Sequence, residues 1–248
     1  MKTKTYLIMS IALLMGVSAG ADDVWNYKVY DDCSMNGYKV SHVSAPPADL
    51  QAVDLGLPSG LKWASCNVGA TTPEESGGYY AWGEITPKQN YYMWTTYKYA
   101  YGSKLTKYCY DAQCGDSGFT DKKTTLDSWD DAAHMNWGGA WRMPTNAEWE
   151  ELIENCTWTW TTQNSVNGYR VTSKANSNSI FLPAAGYCDF SNLYPDEFAS
   201  VGYYWSSSLY QAQFSTPYNA YSTHFDSDRM HCLSYPRNGG LSVRAVCP

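Results

Sequence analysis

The sequence has no run of basic residues. Its 248 residues carry 17 Lys and Arg against 24 Asp and Glu, a formal net charge of −7. Phosphate backbones and anionic bilayers are gripped by clustered cations, so neither nucleic acid nor a charged membrane surface is an expected partner. Beyond the first 21 residues there is no long apolar stretch. A spanning helix needs about 20 apolar residues, so no membrane span is expected. Beyond those first 21 residues, His-Glu-x-x-His, Gly-x-Ser-x-Gly, phosphate-cradling glycine loops and Cys-x-x-Cys are all missing. Their absence removes the usual signatures of zinc proteases, serine hydrolases, nucleotide binders and thiol oxidoreductases. No catalytic constellation is found, and the expectation is a protein that is not an enzyme.

What is present begins with an export signal. Met1-Lys2-Thr3-Lys4 is a short positive start, Tyr6 to Val17 is uncharged and mostly apolar, and Ala19-x-Ala21 is a small-residue cleavage site. Cleavage after Ala21 removes Lys2 and Lys4 and leaves a net charge of −9. The expected location is secreted or on the outer cell surface. Residues 22–50 form an extension and linker ending in Ala45-Pro46-Pro47, with strand candidates at Val24–Tyr30 and Tyr38–Val43. Residues 51–248 form the main domain.

The domain is rich in rings. Aromatic residues make up 16% of the chain, with 22 Tyr and 11 Trp. Such a core is built from large side chains whose hydroxyl and indole groups need partners at its edge. All eight cysteines follow the signal: Cys33, Cys66, Cys109, Cys114, Cys156, Cys188, Cys232 and Cys247. An even count in an exported protein points to disulfides. Cys109 and Cys114 are close enough in sequence to pair locally. Cys188–Cys232 is the next candidate, and the pairing of the rest stays open. No metal and no cofactor are expected. The lesser alternative is calcium at Asp226-Ser227-Asp228, with Asp189 as helper.

Periodicity places the elements. Short strands are expected at 61–66 and 78–84, and a loop over 86–124. A first helix is expected from an Asp127 cap through Trp129, Ala132, Ala133 and Trp137, ending at Gly138-Gly139. His134 lies on it. A second helix starts at Thr145 with Glu148 three residues on, a capping box, and buries Trp149, Leu152 and Ile153. Its glutamates are read as capping and solvated groups. Residues 157–161 alternate as a half-buried strand does, and Asn167-Gly168 signals a turn. Further strands are expected at 169–172, 180–185, 203–207, 221–225 and 241–247. Ser206-Ser207-Ser208 is read as hydrogen bonding along a strand rather than as a nucleophile. Strands, two helices, then many short strands make an α+β domain.

Ser128 to Cys156 resembles the two-helix signature of C-type lectin-like domains. Trp141-Arg142-Met143-Pro144-Thr145, Tyr204-Trp205-Ser206-Ser207-Ser208 and Gly240-Leu241-Ser242-Val243-Arg244 resemble the formylglycine-generating-enzyme branch of that fold. Residues 52–248 resemble the Fibrobacter succinogenes major paralogous domain family of gut Bacteroidetes. The phrases are A-V-D-L-G-L-P-S-G-L-K-W-A-S-C-N-V-G-A, Y-A-W-G-E, W-G-G-A-W-R-M-P-T, F-L-P-A-A-G-Y and G-L-S-V-R-A-V-C-P. The resemblance implies a C-type lectin-like fold, with two helices packed on short, mostly antiparallel strands and long loops, in a secreted or surface module. The calcium-dependent sugar motifs Glu-Pro-Asn, Gln-Pro-Asp and Trp-Asn-Asp are absent. The paired cysteines of the oxidase branch are absent as well, since Cys232 stands alone before Arg244.

Residues 209–240 carry the candidate site. Tyr, Ser and Asn dominate, and such residues give large contact area and adaptable hydrogen bonds. The stretch also resembles the variable region of diversity-generating retroelement targets. The candidate ligand-binding residues are Tyr210, Gln211, Gln213, Tyr218, Asn219, Tyr221, Thr223, Asp226, Asp228, His231, Tyr235, Arg237 and Asn238. Tyr221 and Thr223 are expected to share a strand face, with His224 on the other. Trp129, Trp149 and the 241–247 strand are expected in the core. The expected function is adhesion or ligand binding, with a surface protein or glycan of another cell as partner. The alternatives are a structural envelope or fimbria-associated subunit and, behind it, an oxidase or hydrolase.

Overall fold

Thr145 sets the geometry of the second helix. In the computed structural model, which describes residues 45–89, 91–190, 197–211 and 217–248, its hydroxyl accepts from Glu148 N at 3.3 Å. The Glu148 carboxylate accepts from Thr145 N at 2.7 Å. This is the capping box the sequence signals, and it opens α2 (Asn146–Asn155). Trp149 and Leu152 are fully buried, while Ile153 is half-buried. Arg142 forks onto Glu148 at 2.6 and 2.8 Å, so this glutamate is committed to the helix start.

The first helix is shorter than expected. Asp127 precedes a 3-10 turn at Ser128–Asp130, and the cap of α1 (Ala132–Trp137) is Asp131. Asp131 accepts from Ala133 N and His134 N with one oxygen and from Met143 N with the other. That leaves Trp129 outside the helix and 61% exposed, where the helical spacing had placed it in the core. Gly138 ends α1 with φ 68°, a conformation an L side chain resists.

The strands form small antiparallel sheets. β1 (Ala52–Asp54), β2 (Lys62–Asn67) and β11 (Arg244–Cys247) make one, in the order β1-β2-β11. β3 (Ala100–Tyr101) and β4 (Lys104–Leu105) make a ribbon within the long loop region. β5 (Cys156–Gln163), β6 (Val166–Ser173) and β7 (Ser179–Pro183) make a second sheet. β8 (Gly202–Leu209), β9 (Asn219–Phe225) and β10 (Met230–Pro236) make a third, in the order β10-β9-β8. Among the described residues the result is a set of small antiparallel sheets with two α-helices. Residues 78–84 form no strand; Tyr80 makes only an isolated bridge to Leu241. The turn expected at Asn167-Gly168 lies three residues earlier, at Asn164 and Ser165, which take φ 46° and 68°. Gly168 is instead a strand residue, paired with Thr161 and Pro183, and only glycine fits there because a side chain would strike Leu182 O at 2.2 Å.

The described residues belong to one unit running from Ser41 to Pro248. Its interior has two apolar clusters. The first gathers Tyr80, Trp82, Tyr97, Tyr99, Tyr108, Trp205, Leu241 and Val243 around the long loops. The second gathers Trp63, Trp149, Leu152, Tyr169, Val171, Leu182, Tyr204 and Phe225 between α2 and the strands. The expected core strand at 241–247 is confirmed in burial, although only its second half is regular. No helix among the described residues is long and apolar enough to cross a membrane.

No disulfide joins two of the described cysteines. Cys109 and Cys114 both turn to Asp111 instead: Cys109 Sγ lies 3.1 Å from its carbonyl and Cys114 Sγ 3.7 Å from its carboxylate. Cys232 Sγ lies 3.6 Å from Thr223 Oγ1 on the neighbouring strand, and Cys188 sits in a bridge to Gly240. Cys33 lies outside the described residues, as do the signal segment and the strand candidates at Val24–Tyr30 and Tyr38–Val43.

Candidate functional site

The segment from 219 to 236 is a β-hairpin, with Asp226 at its turn. Asp226 Oδ1 accepts from Asp228 N at 2.8 Å and Arg229 N at 3.0 Å, and Oδ2 accepts from Arg229 Nε at 3.2 Å. These bonds, the one from Asp228 N foremost, hold the carboxyl below its ordinary pKa. An aspartate that bonds the backbone two residues on is a turn device. The pair Asp226/Asp228 therefore shapes the hairpin. No group of three or more metal-ligating side chains occurs among the described residues.

Register fixes the faces. Tyr203 of β8 stands opposite His224 of β9, which stands opposite His231 of β10. Leu233 stands opposite Ser222 in the next row. Directly opposed residues share a face, so Tyr203, Ser222, His224, His231, Leu233 and Tyr235 lie together. Tyr221, Thr223, Cys232 and Ser234 point the other way, as alternation requires. The first face opens into a recess of about 400 Å³ lined by Val201, Tyr203, His224, Phe225, Asp226, Arg229, His231 and Leu233.

The floor of the recess is aromatic. The rings of Tyr203 and His224 are 4.1 Å apart, and Tyr187 and Tyr235 pack against Tyr203 at 4.7 and 5.6 Å. His224 Nε2 lies 2.7 Å from Ser222 Oγ. Burial, and then the neighbouring His231, lower the His224 pKa to about 4, so this imidazole is neutral at physiological pH. The rim is polar and reachable: Arg229 and His231 are exposed, and Leu233 keeps 49% of its surface in water.

The sequence-predicted residues divide. Asp226 and His231 line the recess, and Tyr235 supports its floor while donating to Asp189 Oδ2 at 3.3 Å. Asp228 is exposed at the turn. Tyr210 and Tyr221 stack edge to face at 4.9 Å on the opposite side, and Gln211 is exposed near them. Gln213 lies outside the described residues. Tyr218 is half-buried, donates to Ser103 O at 3.1 Å and packs on Trp94. Asn219 donates to Ser234 Oγ. Thr223, Arg237 and Asn238 are buried, which removes them from any contact surface. Asn238 donates to Tyr92 O at 3.0 Å, a bond that holds a loop. The readings of Ser206–Ser208 and Glu148 stand: Ser207 Oγ donates to Pro144 O, Ser208 Oγ accepts from Asn146 N, and Glu148 caps α2.

Sequence reasoning missed Tyr203, His224, Arg229 and Leu233. The signal was Asp226-Ser227-Asp228-Arg229: taken as a hairpin turn, it assigns Met230 to Pro236 as a strand and gives the row from Tyr203 to His231.

A second recess, of about 310 Å³, lies beside α1 and includes Ser128, Asp131, His134, Trp141 and Arg142. Its serine, histidine and aspartate do not form a relay. Both oxygens of Asp131 accept backbone N–H groups, and His134 Nδ1 lies 3.3 Å from Trp141 O.

This is a domain of small antiparallel sheets in which the face of β8–β10 that carries Tyr203, His224 and His231 opens into an aromatic-floored recess. Residues 158–246, from β5 through the recess to β11, match a family described as a domain of unknown function (DUF8237). No curated protein and no solved structure matches the chain.

Proposed function

We propose that this is a ligand-binding or adhesion module of an exported, C-type lectin-like protein, and that it binds a surface protein or glycan through the β8–β10 face. The observation that carries the reading is the recess itself. It combines a ring-lined floor with a rim of exposed Arg229, His231 and Leu233. Binding sites favour this mixture of apolar floor and few polar groups. Partly buried tyrosines supply contact area while their hydroxyls stay paired.

The test is a screen of the purified protein against glycans and cell-surface proteins, repeated with the triple variant Arg229→Ala, His231→Ala, Leu233→Ala. All three side chains are exposed, so the fold is expected to survive. Affinity for any ligand found should drop at least about tenfold, the loss of one good contact. An unchanged affinity in the folded variant places the site elsewhere. Loss of binding in EDTA favours the calcium alternative at Asp226.

A further inference from the structure

β5 is an edge strand with an unusual sequence, Cys-Thr-Trp-Thr-Trp-Thr-Thr-Gln. Its register with β6 runs unbroken from Cys156↔Ser173 to Gln163↔Val166. Edge strands are commonly guarded by lysine, proline or a bulge, because their open backbone groups invite pairing. β5 carries none of these guards and no charged side chain. Among the described residues no strand lies on its outer side.

The backbone hydrogen bonds on the far side of β6 fix which groups of β5 face outward. Ser173 N donates to Asn178 O, and Ala184 N donates to Asn167 O. The odd-numbered residues of β6 therefore turn to β7, and its even-numbered residues turn to β5. Through the register, Thr157, Thr159, Thr161 and Gln163 bond β6. Cys156, Trp158, Trp160 and Thr162 direct their N–H and C=O groups to the open edge.

From this we propose that β5 pairs antiparallel with β5 of a second copy, about a two-fold axis at Thr159. Residues 157–161, Thr-Trp-Thr-Trp-Thr, are palindromic about that residue. Trp158 would meet the second copy's Trp160, and Cys156 its Thr162, so all four outward residues find partners at once. Thr157 would meet Thr161, and Thr159 would meet itself, on the solvent face where Thr157 and Thr159 are exposed. Threonine pairs and aromatic pairs across strands are both favourable. An isologous contact of this kind closes as a dimer and goes no further. Electrostatics agrees: the chain has net charge −7, and an edge without charge is where two copies meet with least repulsion. The proposal is independent of the recess on β8–β10.

The experiment is sedimentation equilibrium of the full-length protein across a dilution series, with three variants. The wild type is expected at twice the chain mass, dissociating on dilution. Thr157→Lys with Thr161→Lys sets introduced lysines opposite one another and should halve the mass. Thr157→Lys with Thr161→Glu sets opposite charges across both pairs and should keep the dimer. Thr159→Cys should give a covalent dimer on oxidation, beyond any in the wild type, because residue 159 would face itself in a non-hydrogen-bonded pair, whose Cα atoms lie about 4.5 Å apart, within the span a disulfide bridges. Circular dichroism checks that each variant folds, and the cysteine variant serves if a lysine variant does not. A wild type at single-chain mass throughout overturns the proposal. So does a folded double-lysine variant that stays dimeric, or a cysteine variant that does not cross-link.

Discussion

Arg244 and Arg237 both lack exposed surface, yet the two halves of the interior treat them differently. Arg244 stands where β2, β7 and β11 converge. Nε donates to Asn67 Oδ1 at 2.8 Å, Nη1 to Ala64 O at 2.9 Å, and Nη2 to Phe181 O at 2.9 Å. Arg237 stands among the long loops. Nη1 reaches only Lys107 O, at 3.5 Å, and Nε and Nη2 find no acceptor among the described residues. Its guanidinium lies over the rings of Trp82 and Tyr97, at 5.4 and 5.8 Å. Strands supply carbonyls in fixed positions, whereas a loop core closed by tyrosine and tryptophan supplies ring faces. Lys98 and Lys107 of the loop half are met instead by a carboxylate. Asp130, 2% exposed, accepts from Lys98, Lys107 and Tyr108.

The largest effect should come from breaking the strand-held site. Arg244→Met leaves three acceptors without donors at the junction of three strands. Each orphaned acceptor costs about 1–3 kcal/mol, and incomplete relaxation of the site brings the expected loss to about 3–5 kcal/mol. Urea unfolding measures it. A loss below about 1 kcal/mol would show that water takes over the guanidinium's role.

Asp130→Asn tests the loop half, with an expected loss of about 2 kcal/mol for hydrogen bonds to a charged group. Burial alone would raise the Asp130 pKa, but the bonds from Lys107, Tyr108 and Lys98 outweigh it and hold it at about 2. A depressed carboxyl pKa stabilises the fold above the unfolded value, near 3.8. That contribution fades as pH falls from there through about 2. His224 opens a separate window. Its pKa falls from 6.5 unfolded to about 4 folded, so the unfolded chain takes up a proton first, and stability declines as pH falls from about 6.5 to about 4. Acid melts of the wild type and of His224→Gln separate the two: the upper phase should vanish in the variant and the lower one remain.

Thr145→Ala should cost about 1 kcal/mol. It removes one bond at the start of α2, and the Glu148 carboxylate keeps both Thr145 N and Arg142. A thermal melt suffices, and no change at all would mean that the glutamate alone holds the helix start.

Legibility in the sequence followed the range of the interactions. The capping box, the Thr-Trp alternation of β5 and the apolar 180–185 run were readable because each depends on neighbours in the chain. The position of the β5–β6 turn was not: Asn167-Gly168 is the stronger local signal, but packing against Leu182 claims that glycine for the sheet. Trp129 fits a helical stripe only until Asp131, whose carboxylate is also needed by Met143, sets the cap four residues after Asp127. The candidate site was half legible. Its segment was found, with Asp226 and His231 of the recess, but Arg229 and Leu233 of the rim were not, and Arg237 and Asn238 are loop-pinning residues. Their burial depends on Trp82, Tyr92 and Tyr97, far away in sequence.

The smallest effect, and the sharpest test of the comparison, is Arg237→Met. Removing the guanidinium loses two ring contacts, each worth about 0.5–2 kcal/mol, and one long bond. It also removes a charge held out of water without a carboxylate partner among the described residues, a burden that often equals or exceeds what a buried ion contributes. The backbone of residue 237 keeps its role, since its N–H donates to Tyr218 O and its carbonyl accepts from Trp82 N in either case. Methionine is unbranched and fills irregular space between rings well. The two sides of the balance are similar in size, so stability should change by less than about 1 kcal/mol in either direction. The same urea series that reads Arg244→Met reads this variant. A loss as large as that of Arg244→Met would show that Arg237 Nε and Nη2 bind a water or an anion in solution. The two arginines would then differ only in where their acceptors come from.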